Sequence, residues 1–384
     1  MKFGGSLLKS LVLPGAVLLV LPALTFAQQY KQTNLVSDIS GMAPTFDPNL
    51  KNPWGLTRSS GSPFWVSNNN SGTSTLYTGA GAIVPINGTG IVTIPPPGFA
   101  PGTQSTPTGV VFNGSATDFK LKSGAAAHFI FATEDGTIAA WASGPTAELE
   151  VDKSDNGSSH GAVYKGAASG EINGHKFLYV TNFRSGRVEV YDTTFKRVHL
   201  GDDAFRLDGD CDRDDHHDCD DDRGREGFAP FNIQNIGGTL FVTYAKQDAA
   251  KHDDVAGAGL GFVEIFTPRG RHIGHLEHGD WLNSPWGVVW TTRDFGEFSN
   301  AILVGNFGSG QIAAFNGFTY KFEGFLTNSD DSIMTIDGLW SLTFGNDGTA
   351  GPANTLFFTA GPNGETDGLF GTITPVNGLD GDEE

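Results

Sequence analysis

Short runs of alternating apolar and polar positions, closed by Gly, Asn or Asp, recur along the chain. A period of two marks a half-buried strand. The clearest runs are Phe177–Tyr191 and Ile302–Phe315, each a strand, a turn holding Gly186 or Gly310, and a second strand. Looser copies span Phe64–Tyr77, Phe129–Trp141, Leu240–Phe266 and Leu356–Ile373. A further short strand precedes each copy, near Trp54, Thr108, His160, Phe231, Trp286 and Trp340. With these six as equivalents, the gaps are 54, 52, 71, 55 and 54 residues. A period of this length, several strands per repeat, is the signature of a propeller blade.

The expected fold is therefore all-β, a six-bladed β-propeller over residues 28–375. The last repeat ends one strand short, at Thr372–Pro375, and Thr33–Ser37 is a lone strand ahead of the first blade. The N-terminal strand is expected to complete the sixth blade and close the ring. Composition agrees: 53 of 384 residues are glycine, roughly twice ordinary usage, which disfavours helical bundles. The net charge of −19 excludes nucleic acid as a partner, because a phosphate backbone needs a basic surface. Residues 1–27 have the form of a secretory leader: Lys2 and Lys9, an apolar stretch Leu11–Leu21, and small residues before a cut after Ala27. The processed chain is then secreted or periplasmic, without a membrane span, and monomeric, with 376–384 as an acidic tail.

Propeller geometry sorts the polar residues. The innermost strand of each blade lines the axis, and the turn after the second strand opens on the same face as the loop leading into the first. The second strands end at Asn68, Glu134, Asn182, Tyr244, Asn306 and Ala360, and the innermost strands are preceded by Asn52, His160, Asn283 and Asp337. Two longer turns are expected to overhang this mouth, one with Lys246, Asp248, His252, Asp253 and Asp254, the other with Asn363, Glu365 and Asp367. Oxygen donors of this kind suit Ca²⁺. They equally suit turns, since Asn, Asp and Gly accept left-handed backbone.

Residues 201–225 hold eleven Asp and four Arg, and the cysteines Cys211 and Cys219. Charge at this density extends a chain. In an oxidising compartment the two thiols are expected to form a disulfide; zinc on Cys211, His216, His217 and Cys219 is the alternative. Gly157–Gly161 spells G-x-S-x-G, but a strand follows where that chemistry needs a helix. His272, His275 and His278 lie on an outer strand, where alternation sends His272 and His278 one way and His275 the other. Trp54, Trp286 and Trp340 are expected in the core between blades.

The segments Asn34–Asp38, Asn52–Leu56, Tyr244–Asp254, Leu282–Gly287 and Phe358–Gly364 resemble an uncharacterised family of secreted bacterial proteins, some with a C-terminal sorting tail. That resemblance covers nearly the whole chain after the leader and implies no established activity. More distantly, the layout is similar to calcium-dependent phosphotriesterase and gluconolactonase-like propellers and to NHL-repeat propellers. The former imply an axial Ca²⁺, for which Asn182, Asn306 and Asp337 are the matching residues. Two functions follow as expectations. One is a binding or scaffolding module for a small molecule, glycan or protein, with Asn52, Asn68, Glu134, Lys246, Asp248, Asp253, Asp254 and Glu365 around its ligand. The other is a Ca²⁺-dependent hydrolase of lactones or phosphoesters, with His160 or His252 as base.

Overall fold

The structure, a computed structural model, describes Met1 and residues 29–376 except 87 and 208–225. The leader, Cys211, Cys219 and the acidic tail from residue 377 lie outside the described residues. Among the described residues no helix is long and apolar enough to cross a membrane.

Six antiparallel sheets succeed one another in chain order. Their innermost strands are Pro53–Thr57, Pro107–Phe112, Tyr164–Ile172, Phe228–Ile236, Pro285–Trp290 and Leu339–Phe344. Blades one to five each add three further strands outward, so one repeat gives one sheet. Blade six is built from both ends of the chain. Its third strand, Leu369–Pro375, pairs antiparallel with Tyr30–Ser37 in a register running from Tyr30 opposite Pro375 to Ser37 opposite Leu369. The short strand Thr45–Phe46 then adds in parallel. The ring is closed as the repeat arithmetic predicts.

Each sheet buries both faces against its neighbours. Trp65, Phe129, Phe131 and Trp141 fill the space between blades one and two; Tyr164, Tyr191, Leu178 and Ile138 do so between two and three. The innermost strands approach so closely that most carry glycine at one equivalent position. A Cβ on Gly55, Gly109 or Gly287 would lie 2.4–2.6 Å from the backbone of the next blade's inner strand. Polar side chains pin the strands there: Thr108 Oγ1 donates to Tyr164 O at 2.8 Å, and Asn232 Nδ2 donates to Trp286 O at 2.7 Å.

Candidate functional site

The residue ahead of that close-packed position points to the axis. In blades one, two, four, five and six it is Trp54, Thr108, Phe231, Trp286 and Trp340, as the spacing predicts. In blade three it is Lys165, ahead of Gly166, and not His160. The pair His160–Gly161 mimics the same pattern just upstream, but it sits in an exposed turn before the strand begins, with the His160 N–H donating to Ser158 Oγ at 3.1 Å.

Four of these side chains close the axis. Trp54 stacks on Trp340 with ring centroids 3.5 Å apart, Trp286 meets Trp54 edge-on at 6.1 Å, and Phe231 lies 6.0 Å from Trp340. Phe183, Ala229 and Ala245 join the cluster. Burying one such ring removes about 200 Å² from water and stabilises the fold by about 5 kcal/mol. Among the described residues this buried cluster stoppers the axis.

The residues at the ends of the second strands correct the expectation by one position. Asn68, Asn182 and Asn306 end their strands, but their side chains are turned into their own blades. Asn68 Nδ2 donates to Thr75 Oγ1 at 3.0 Å, Asn182 Nδ2 to Glu189 Oε1 at 3.0 Å, and Asn306 Nδ2 to Trp281 O at 3.1 Å. The next residue along points the other way, as pleating requires. These next residues are Asn69, Glu134, Phe183, Ala245, Phe307 and Gly361. In blade two the strand ends at Thr133, so Glu134 already occupies the outward position. That is why Glu134 reaches the mouth and the asparagines do not. Asp337 is exposed and accepts from the Asn363 N–H at 2.8 Å. No hydrogen bond joins Asn182, Asn306 and Asp337 to one another among the described residues.

The mouth is organised around Lys165. Its side chain is 2% exposed, with the ammonium paired to Glu134, 3.3 Å from Asp253 Oδ1, and 5.0 Å from the centre of the Trp54 ring. Burial pulls the Lys165 pKa down, but the two carboxylates outweigh it and the ammonium is held above its usual range. Asn69 Nδ2 donates to Glu134 Oε2 at 2.6 Å. On the opposite side Asn52, in left-handed backbone (φ 45°), accepts from Trp340 Nε1 at 3.0 Å and donates to Glu365 Oε2 at 2.8 Å. Gly361 is required here, because a Cβ would lie 2.2 Å from Asn52 Oδ1. Burial raises the Glu365 pKa, against the bond from Asn52. Asp254 is raised as well, chiefly by burial.

The loop after the second strand of blade four overhangs Lys165, as its length predicts. It is a small hairpin, with Gln247 bridged to Asp254 and Asp248 Oδ1 accepting from the His252 N–H at 2.8 Å. Gln247 Nε2 ties it to Phe183 O at 2.5 Å. His252 Nδ1 donates to Asp253 Oδ1 at 2.8 Å. That bond raises the His252 pKa, against burial and Lys165, and holds Asp253 well below the usual carboxylate range. Lys246 lies to one side, its Nζ donating to Glu226 O at 2.6 Å beside the Phe228 ring.

Beside this group opens a cleft of about 430 Å³ between blades two and three, lined by Phe99, Glu134, Asp135, Ser158, Arg184 and His252 among others. Arg184 donates from one terminal nitrogen to Gly161 O at 2.9 Å, while its Nε is buried without a hydrogen-bond partner. Composition does not flag Lys165 or Arg184. The signal that finds Lys165 is the small residue after each axial position: Gly55, Gly109, Gly166, Asn232, Gly287 and Ser341.

Glu134, His252 and Asp253 place one donor atom each within 4.8 Å of one another. The Lys165 ammonium already pairs with both of these carboxylates, and its charge opposes a second cation there.

No known protein-family model matches the chain. Three uncharacterised proteins of Acanthamoeba polyphaga mimivirus are similar to it. They are 32% identical over 63% of this chain, 29% over 90%, and 26% over 90%. The chain spans 43% of the first relative's length and 80% and 85% of the others'. Among solved structures, a glucose dehydrogenase superposes with a TM-score of 0.51 at 10% identity, covering 89% of this chain and 99% of that one. A virginiamycin B lyase from Staphylococcus aureus gives 0.49 at 11% identity, covering 91% of this chain and 100% of that one. At these identities the likeness to solved structures is one of fold: the chain is a β-propeller, similar in sequence to uncharacterised viral proteins.

Proposed function

We infer that the chain is a binding module whose ligand is a small, hydroxyl-rich molecule of mono- or disaccharide size, held in the cleft beside Lys165. One observation carries this: with the axis stoppered, the cleft between blades two and three gathers Glu134, Asp135, Arg184 and His252 around an exposed aromatic, Phe99. Its volume lies within the range of small-molecule sites. Carboxylates accept from hydroxyls, and a ring face covers the apolar side of a sugar. The Arg184 guanidinium spends one terminal nitrogen on Gly161 O and has further N–H groups to donate to a ligand oxygen. The leader-like residues 1–27 and the resemblance to secreted bacterial proteins support a site of action outside the cytoplasm.

A panel of neutral and acidic mono- and disaccharides, screened by thermal shift and followed by calorimetry, tests the inference. At least one sugar is expected to raise the melting temperature, and Arg184→Gln to weaken it. If no sugar shifts the wild-type protein, the assignment fails.

A second activity has one observation in its favour. The His252–Asp253 pair borders the cleft with Nδ1 occupied, the arrangement that orients an imidazole for proton transfer through Nε2. Hydrolysis of lactone and phosphoester probes, with and without Ca²⁺, decides it. Turnover lost in His252→Ala supports hydrolysis; turnover unchanged in that variant removes His252 from the chemistry.

A further inference from the structure

Blade four carries a second group of chemistry-bearing side chains, on its outer edge. Its third strand, Gly261–Phe266, pairs with its fourth, His272–His275. Straight alternation sets His272 and His275 on opposite faces. The ladder is not straight: Phe266 pairs with His272, Ile265 with Gly274, and Glu264 with His275. Ile273 is the extra residue of a bulge, and it is exposed. Glu264 and Phe266 are two apart on one strand and share a face, so their partners His275 and His272 share it too.

The side chains converge accordingly. Glu264 is fully buried. His272 Nε2 lies 2.5 Å from Glu264 Oε2, and His278 Nε2 lies 3.8 Å from Glu264 Oε1. The rings of His275 and His278 are 5.1 Å apart. One donor atom each from Glu264, His272 and His275 falls within a 4.8 Å group. Phe266 packs against His272 at 5.4 Å and Phe262 against His278 at 5.6 Å, which walls the group on its apolar side.

We propose that this edge binds a divalent transition metal, zinc by its donor set, through Glu264, His272 and His275, with His278 as the additional imidazole. Imidazole nitrogens with one carboxylate select zinc and its neighbours over calcium or magnesium, which take oxygen. The buried Glu264 supplies the negative ligand and the histidines the nitrogen ligands that such an ion takes. Bonds of about 2.0–2.2 Å in a tetrahedron put ligand atoms about 3.4 Å apart. That separation lies between the 2.5 Å contact and the 4.8 Å limit seen here. The half-buried His272 and exposed His275 can make the adjustment by side-chain rotation.

The test uses the full chain, stripped of metal and titrated with Zn²⁺ alone by calorimetry near neutral pH, then with Co²⁺ by absorption. One equivalent is expected, and its Co²⁺ adduct shows visible bands without thiolate charge transfer. His275→Ala changes an exposed residue and keeps the fold, whereas Glu264→Gln alters a fully buried group; melting temperatures verify both. Loss of an outer partner alone weakens metal sites by about 10–100-fold, so His275→Ala and His272→Ala are each expected to weaken binding by about tenfold or more. Cys211→Ser with Cys219→Ser leaves it unchanged. An equivalent that survives both histidine variants, one lost in the double cysteine variant, or no binding at micromolar Zn²⁺ overturns the proposal.

Discussion

Lys165 concentrates the molecule's electrostatic risk in one residue. It is buried at the axis among aromatic rings, and Glu134, 10% exposed, faces it. Removing one partner of a buried pair strands the other, at about 3–5 kcal/mol. Lys165→Met is therefore expected to lower stability in urea by about 3 kcal/mol, and Lys165→Met with Glu134→Gln to recover much of it. A double variant no more stable than Lys165→Met would show that the charge pair is not what the site depends on. The His252–Asp253 pair makes a pH-dependent contribution. The folded His252 binds its proton more tightly than its ordinary value of 6.5 implies, so its stabilisation is fully present below that value and fades as pH rises through the raised one. Asp253, lowered from 3.8, contributes above that value and is lost only as pH falls through its depressed one. His252→Ala should thus lower the melting temperature more at about pH 5.5 than at about pH 8.5. Equal losses at both would exclude a charged pair. At the strand ends the sequence was legible to within one residue, and one residue decides the outcome; in blade three it was not, since His160 stood where Lys165 lies. Asn68 and Glu134 look equivalent in a repeat alignment, yet pleating turns one into its blade and the other into the mouth.

The overhanging loop is held by elements that a repeat pattern does not encode. Its presence was legible, because Tyr244 to Gly261 is long for a blade turn. Its internal geometry was not, because Asp248 caps backbone N–H groups that only a folded hairpin brings together. Asp248→Ala removes both caps from an exposed loop. It is expected to cost little in melting temperature, about 1 kcal/mol or less at such a site, while displacing His252 and Asp253 from Lys165. The readout is the pH profile: the variant should lose the acid-side stabilisation assigned to His252 while keeping a cooperative unfolding transition. An unchanged profile would show that the loop positions itself without Asp248. The outer edge of blade four teaches the opposite lesson. Alternation predicts divergent histidines there, and a bulge at Ile273 brings them to one face. A bulge leaves almost no trace in composition, since any residue can be the extra one.

Ring closure is the property of the whole molecule, and it was the most legible, because counting strands needs only the period. The two chain ends meet in one sheet: Tyr30–Ser37 lies between Leu369–Pro375 and the short strand Thr45–Phe46. Tyr30 anchors the closure. It is buried against Phe295 and Phe298, its hydroxyl donates to Phe295 O at 3.0 Å and accepts from the Phe298 N–H at 3.3 Å, so one side chain ties the first strand to blades five and six. Val36, at the other end of the strand, is packed with Phe64, Phe357 and Phe370 between blades six and one. Losing a buried aromatic costs about 3–5 kcal/mol. Deleting residues 29–37 removes Tyr30 and Val36 together and opens the edge of Leu369–Pro375, for an expected loss of at least about 5 kcal/mol. The same open edge is a template for strand addition. A synthetic peptide of residues 29–37, supplied in excess to the truncated chain, is expected to restore part of the lost melting temperature, and a peptide with Tyr30→Ala and Val36→Asp is not. A truncated chain that melts with wild-type stability would mean that the ring does not depend on its N-terminal strand. Equal rescue by both peptides would mean that backbone pairing alone, without Tyr30 and Val36, closes the propeller.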